Sequence, residues 1–284
     1  YLYTVFFFFS EIMGTYIETG HTKNVANFDH LITFIQSYGA NYSPSNTSIT
    51  LANLQIASTN GQTTLTNVKN EFNSWKNATN SREIAFDPLR GLATQLLNTL
   101  IAIGANEQTI KDFKTINAKV QGSKLTKADA GIADDSSTAR ADGSKLTKAD
   151  SGITDESIAK MAMPSKKSIS ASQQSYDNLI DHYDKLIKLL ASVPTYTPTE
   201  NSLKVTTLNT MLANLKAANT LAYNKVVSVS NARIARNKVL YENPEALVTL
   251  AKLVKAYIKG KFGAKSPEFA QVSALKFTMI KAGK

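Results

Sequence analysis

Residues 205–240 read VTTLNTMLANLKAANTLAYNKVVSVSNARIARNKVL, and their spacing decides the fold class. Val205, Leu208, Leu212, Leu215, Asn219, Ala222, Val226, Val229, Arg233, Arg236 and Leu240 recur alternately three and four residues apart. That is the a/d stripe of a coiled-coil helix, with one seam turned inward. No proline interrupts the run, which predicts one helix of about 54 Å at ~1.5 Å per residue. Residues 51–86 carry Leu51, Leu54, Ser58, Gly61, Leu65, Val68, Phe72, Trp75, Thr79, Arg82 and Phe86 at equivalent places. Ser58 and Gly61 weaken the apolar stripe in its early turns. Strand patterning is poor throughout.

The two long runs belong to a larger internal match. Tyr42-Ser43-Pro44 faces Tyr196-Thr197-Pro198, Leu54 faces Leu208, Asn77-Ala78 faces Asn231-Ala232 and Arg82 faces Arg236, all at one offset of 154. Asp87-Pro88 and Asn243-Pro244 follow, then Gly104-Ala105 and Gly263-Ala264. Each copy therefore reads as helix, Tyr-Ser/Thr-Pro turn, long helix, Asx-Pro break, helix, glycine break and short helix. Repeats of this kind set the architecture and are sought first.

Between the copies, GSKLTKAD at 122–129 returns at 143–150. Residues 119–164 hold no aromatic residue and few large aliphatics. Such a stretch buries too little apolar area to offset its ordering entropy and reads as a flexible linker. Asp134, Asp135 and Asp142 do not have calcium-loop spacing.

The expected fold is all-α: two tandem antiparallel bundles of about four helices, one long helix in each, joined by that linker. The expected division is an extension at 1–20, helical unit 1 at 21–118, the linker at 119–164 and a basic helical unit 2 at 165–284. The extension opens YLYTVFFFFS. It lacks the basic region and small-residue cleavage site of a signal peptide. It reads as a translation artefact before Met13, a truncated signal segment, or an apolar element docked on the body.

Helix ends carry markers. Asp87-Pro88, Asn243-Pro244 and Ser266-Pro267 each place a capping residue before a proline at the first helical position. Asn106 is a further N-cap, and Gly104 and Gly260 suit left-handed C-caps.

Chemistry-bearing patterns are sparse. Cysteine is absent, and the three histidines, His21, His30 and His182, form no HxxxH or HExxH pair. Phosphate-binding glycine loops and the GxSxG elbow are missing as well. No cofactor, metal site, catalytic residue or small-molecule substrate is expected. His30 and His182 sit near equivalent places in the two first helices and read as surface or half-buried residues. Trp75 with Phe72 and Phe86 reads as core packing.

Charge is uneven. Residues 1–121 balance, whereas residues 164–284 hold eighteen Lys/Arg against seven Asp/Glu. Arg82 and Arg236 interrupt the apolar seam, where a guanidinium needs carboxylate or carbonyl partners. They read as register-fixing ties or as anion and partner contacts, reinforced in the second copy by Arg233. Lys252, Lys255, Lys259 and Lys261 lie among aromatic residues and are candidate contacts for phosphates or acidic headgroups.

Lys23-Asn24-Val25-Ala26-Asn27-Phe28, the turn Tyr42-Ser43-Pro44-Ser45-Asn46 and Ala85-Phe86-Asp87-Pro88-Leu89 resemble segments of uncharacterised all-helical bacterial proteins with an internal duplication. The resemblance implies a bacterial origin and brings no activity or cofactor. The expected function is a non-enzymatic helical interaction or scaffold protein with two related binding units and an unknown protein partner. The alternatives are nucleic-acid binding through residues 164–284, and activity at a membrane surface through contact with anionic lipid. A cytoplasmic location is favoured over export.

Overall fold

The computed structural model describes residues 18–123 and 174–280. The described chain is all-helical, without strands. Its α-helices are α1 (Thr19–Ser37), α2 (Leu51–Phe86), α3 (Leu89–Ala102), α4 (Glu107–Gln121), α5 (Tyr176–Ala191), α6 (Val205–Asn237), α7 (Leu247–Phe262) and α8 (Pro267–Ala274). None of the described helices is long and apolar enough to cross a membrane. Most of the expected linker, and residues 1–17, lie outside the described residues.

Both long seams run inward along their whole length. Every stripe position of α2, from Leu51 to Phe86, is buried or half-buried, and so is every one from Val205 to Leu240. The second run changes pitch at its end. After Asn237 the backbone makes one π-helical turn, Lys238–Glu242, closed by Asn243 N–H donating to the Lys238 carbonyl at 3.1 Å. The neighbours Leu240 and Tyr241 of this turn both lie in the core.

The described elements gather into two compact units, and neither unit coincides with a tandem copy. One comprises residues up to 82 with 220–284, the other residues 83–219. Each thus joins the first part of one copy to the later part of the other. Helix α2 has 36 residues and α6 has 33, so each is about 50 Å long. Residues 51–82 of α2 and 220–237 of α6 belong to the first unit, and 83–86 and 205–219 to the second.

In the first unit α1, α7 and α8 pack on one another. Phe28, Leu31, Ile35 and Leu54 meet Leu240, Leu247, Val254, Ile258 and Val272. Gly61 allows a close approach: a Cβ there would stand 3.0 Å from Leu247 Cδ1 and 3.3 Å from Val25 Cγ2. The glycine expected to weaken the seam is therefore a position where helices come together. Helix α1 begins at Thr19, within the last residues of the expected extension 1–20, and Glu18 and Gly20 take part in this unit.

In the second unit α4 packs on both α3 and α5. Leu89, Leu96, Leu100, Phe113 and Val120 meet Tyr183, Leu186, Leu190, Leu208, Leu212 and Leu215.

The caps divide into two groups. Asn106 accepts from Thr109 N–H at 2.8 Å and Ser266 from Phe269 N–H at 3.1 Å, as their positions predicted. Asp87 and Asn243 do not cap. Helix α3 has Pro88 at its N-cap and α7 has Ala246, neither with a side-chain cap. Asn243 instead starts a turn closed by Ala246 N–H on its own carbonyl at 2.9 Å, with Pro244 in the second position that suits proline's fixed φ. Gly260 lies inside α7, and the positive φ of 100° falls on Gly263.

Candidate functional site

The two Tyr-x-Pro turns are closed by the same bond. Tyr42 Oη donates to the Ile49 carbonyl at 2.6 Å and Tyr196 Oη to the Leu203 carbonyl at 2.9 Å, each seven residues on. Burial pushes both phenols up, Tyr196 to about 12, so both stay protonated donors. These tyrosines act as structural ties.

The first unit holds a polar cluster between α1 and the end of α6. Arg236, 5% exposed, reaches both carboxylate oxygens of Glu18 at 2.5 Å through Nη1. Its Nε and Nη2 donate to Asn237 Oδ1 at 3.1 and 2.9 Å. One turn along α1, His21 Nδ1 lies 2.8 Å from Tyr241 Oη, to which Asn24 Nδ2 also donates at 3.1 Å. Burial first, and then the Arg236 charge, hold His21 below its usual range. The ring is therefore neutral and can accept from the Tyr241 hydroxyl.

The candidate contacts from the sequence separate accordingly. Arg236 is an internal tie. Arg82 is buried and Arg233 half-buried on the same kind of seam. Lys255 is half-buried: its ammonium donates to the Leu275 carbonyl and stands 5.2 Å from the Phe277 ring centroid. Burial lowers its pKa. Lys259 is exposed and lies 5.7 Å over Phe269, and Lys252 and Lys261 are exposed. Of the seven, Lys252, Lys259 and Lys261 thus form the outward-facing set. All three are carried by α7, with Lys252 and Lys259 two turns apart on one face.

The histidines do not behave as a pair. His30 is exposed, whereas His182 is 4% exposed and neither ring nitrogen has a hydrogen-bond partner. Burial and then Lys119 depress its pKa. Trp75 is half-buried beside Phe72, their centroids 5.4 Å apart.

Near the π-turn a cleft of about 600 Å³ lies in the first unit between the start of α2 and the Asn243-Pro244 turn. Ile56, Ala57, Val239 and Leu250 give it an apolar floor, and Asn53, Asn60 and Glu245 a polar rim. Glu245 accepts from Ser48 Oγ at 2.7 Å. Among the described residues no group of three or more His, Asp or Glu is placed to hold a metal ion.

Sequence reasoning missed Gly20, Asn24 and Asn27 of α1. Asn24 Nδ2 donates to the Thr278 carbonyl at 2.7 Å and its Oδ1 accepts Thr278 N–H at 3.0 Å. Asn27 Nδ2 donates to the Lys276 carbonyl at 2.7 Å. The available signal was two asparagines three apart inside a helix, a placement that helix propensity disfavours.

Comparison of the chain with family models, with curated proteins and with solved structures gives no match.

Proposed function

We propose that the chain is a non-enzymatic helical interaction protein, descended from a duplicated segment, whose first unit binds an acidic protein partner. The observation that carries this reading is the charge of the units. Residues 1–82 and 220–284 hold sixteen Lys/Arg against seven Asp/Glu, while residues 83–219 hold sixteen against fifteen. The excess of +9 therefore belongs to one unit. Lys252, Lys259 and Lys261 present part of it to solvent. A field of one sign speeds and orients the approach of an oppositely charged partner.

The test is titration of the full chain with a 20-residue polyglutamate probe at several salt concentrations. Binding that weakens with salt, and that is lost in Lys252→Glu/Lys261→Glu, supports the reading. Binding unaffected by both changes refutes it. The same exposed lysines favour nucleic acid as the second reading. Duplex DNA binding tighter than polyglutamate, with log K falling linearly in log salt, would select it.

A further inference from the structure

Residues 275–280 leave α8 and run extended beside α1. Their backbone is read by side chains. Asn24 pairs with both the N–H and the C=O of Thr278, as a neighbouring strand would, and Asn27 takes the carbonyl of Lys276. Lys255 of α7 takes the carbonyl of Leu275. Gly20, one turn before Asn24, leaves the space that Ile280 fills, since a Cβ at residue 20 would overlap Ile280 Cδ1. Leu275, Phe277 and Ile280 pack against the core, with Phe277 edge-on to Phe28 at 6.5 Å. Lys276, Thr278 and Met279 face outward.

Recognition of this kind depends little on sequence. It needs accessible backbone groups and apolar side chains at the first, third and sixth positions, a spacing of two and then three that departs from the strict alternation of a strand. It also leaves one charge unanswered. Lys255 is half-buried under the segment, and no carboxylate lies within ion-pair distance of it among the described residues. A carbonyl and an aromatic face are its partners. A ligand with the same apolar spacing and an acidic residue beside its first position would give Lys255 a charged partner.

We propose that the face formed by α1, α7 and α8 is a receptor for an extended acidic peptide, kept closed by residues 275–280 until that peptide displaces them. The inference rests on the acidic-partner reading above and names the form in which the partner binds. The held segment is six residues long, with three outward side chains, so local opening costs much less than unfolding the unit.

The test uses the full chain and two labelled peptides. One has the sequence of residues 273–280, SALKFTMI. The other carries Ala274→Asp and Lys276→Glu in that peptide. In the chain, Phe277→Ala weakens the competing segment, and circular dichroism checks that the variant stays folded. The acidic peptide should bind this variant saturably and about tenfold or more tighter than it binds the unaltered chain, from the lost burial of one aromatic ring. Lys255→Met should abolish the preference for the acidic over the neutral peptide. No saturable binding to folded Phe277→Ala, or an acidic preference that survives Lys255→Met, overturns the proposal. Polyglutamate binding separates the two failures: if it persists while the peptide fails, the acidic-partner reading stands and the receptor falls.

Discussion

Break the chain between residues 142 and 143, prepare the two pieces separately, and mix them. Because each compact unit draws on residues before and after that point, neither piece can complete a core alone. The first piece supplies Phe86, Leu89, Leu96, Leu100, Phe113 and Val120 to one core, and Val25, Phe28, Leu31, Ile32, Ile35, Ile49 and Leu54 to the other. At ~1.5–3 kcal/mol for each large apolar side chain, that burial amounts to roughly 20–40 kcal/mol gross. The second piece supplies the larger share of each core, so about half of the burial crosses between the pieces. That is ~10–20 kcal/mol against an association cost of ~4–15 kcal/mol. The midpoints leave about 5 kcal/mol, so we expect a 1:1 complex with an affinity on the order of 0.1 mM. Sedimentation should show it, and helical circular dichroism should rise on mixing above the sum of the pieces. Two pieces that each unfold cooperatively as monomers, and that mix without change, would refute the shared cores and restore the tandem division.

Other outcomes follow from single sites. Arg236→Met leaves the Glu18 carboxylate, 15% exposed, without its cation; the urea midpoint should fall by the equivalent of about 3–5 kcal/mol, with most of it returned by adding Glu18→Leu. His182 has a folded pKa below its unfolded value, so the unfolded chain binds more protons. Its contribution is therefore present above pH ~6.5 and lost as pH falls through the folded value; His182→Leu should flatten the loss of stability between pH 7.5 and 5, leaving the His21 share. Gly61→Leu pushes against Leu247 and Val25 and should cost about 1–3 kcal/mol or more by thermal melt, and an equally stable variant would contradict the close approach. Tyr42→Phe and Tyr196→Phe should each cost about 1 kcal/mol, and a large inequality would show that the two turns are not equivalent ties.

The helical period was legible because it is a local property. The seam of α2 required only that eleven positions three or four apart share one side, and even Ser58, Gly61, Asn219 and the two buried arginines obeyed it. Which helices meet was not legible. Residues 19–37 are compatible with either long run as neighbour, and nothing in a single copy says that Val25 will meet Leu247 across Gly61. Asp87-Pro88 and Asn243-Pro244 mark breaks but not caps, whereas Ser266 caps the helix that Pro267 begins. A proline ends a helix by lacking an N–H, but where the next helix starts depends on the turn geometry around Asn243 and Ala246. The docking of segment 275–280 was not legible. Its attachment runs through backbone groups that every sequence possesses, so only the asparagines opposite could have marked it.

Sharing the cores has a consequence for how the two copies can change. In a tandem pair, a substitution in one copy alters one core, and the other copy is free to drift. Here Leu54 packs with Leu240 and Leu247, while Leu208 packs in the core of Leu96 and Phe113. A change in the first copy is therefore met by residues of the second in whichever unit it falls. The copies nonetheless differ on the buried seam itself, where Ser58 and Gly61 stand opposite Leu212 and Leu215. They differ again in their last helices. The last helix of the first copy, α4, runs 15 residues, whereas its counterpart α8 stops after eight and yields its continuation to the extended segment on α1. The charge follows the same division, with the excess on the unit that holds that segment.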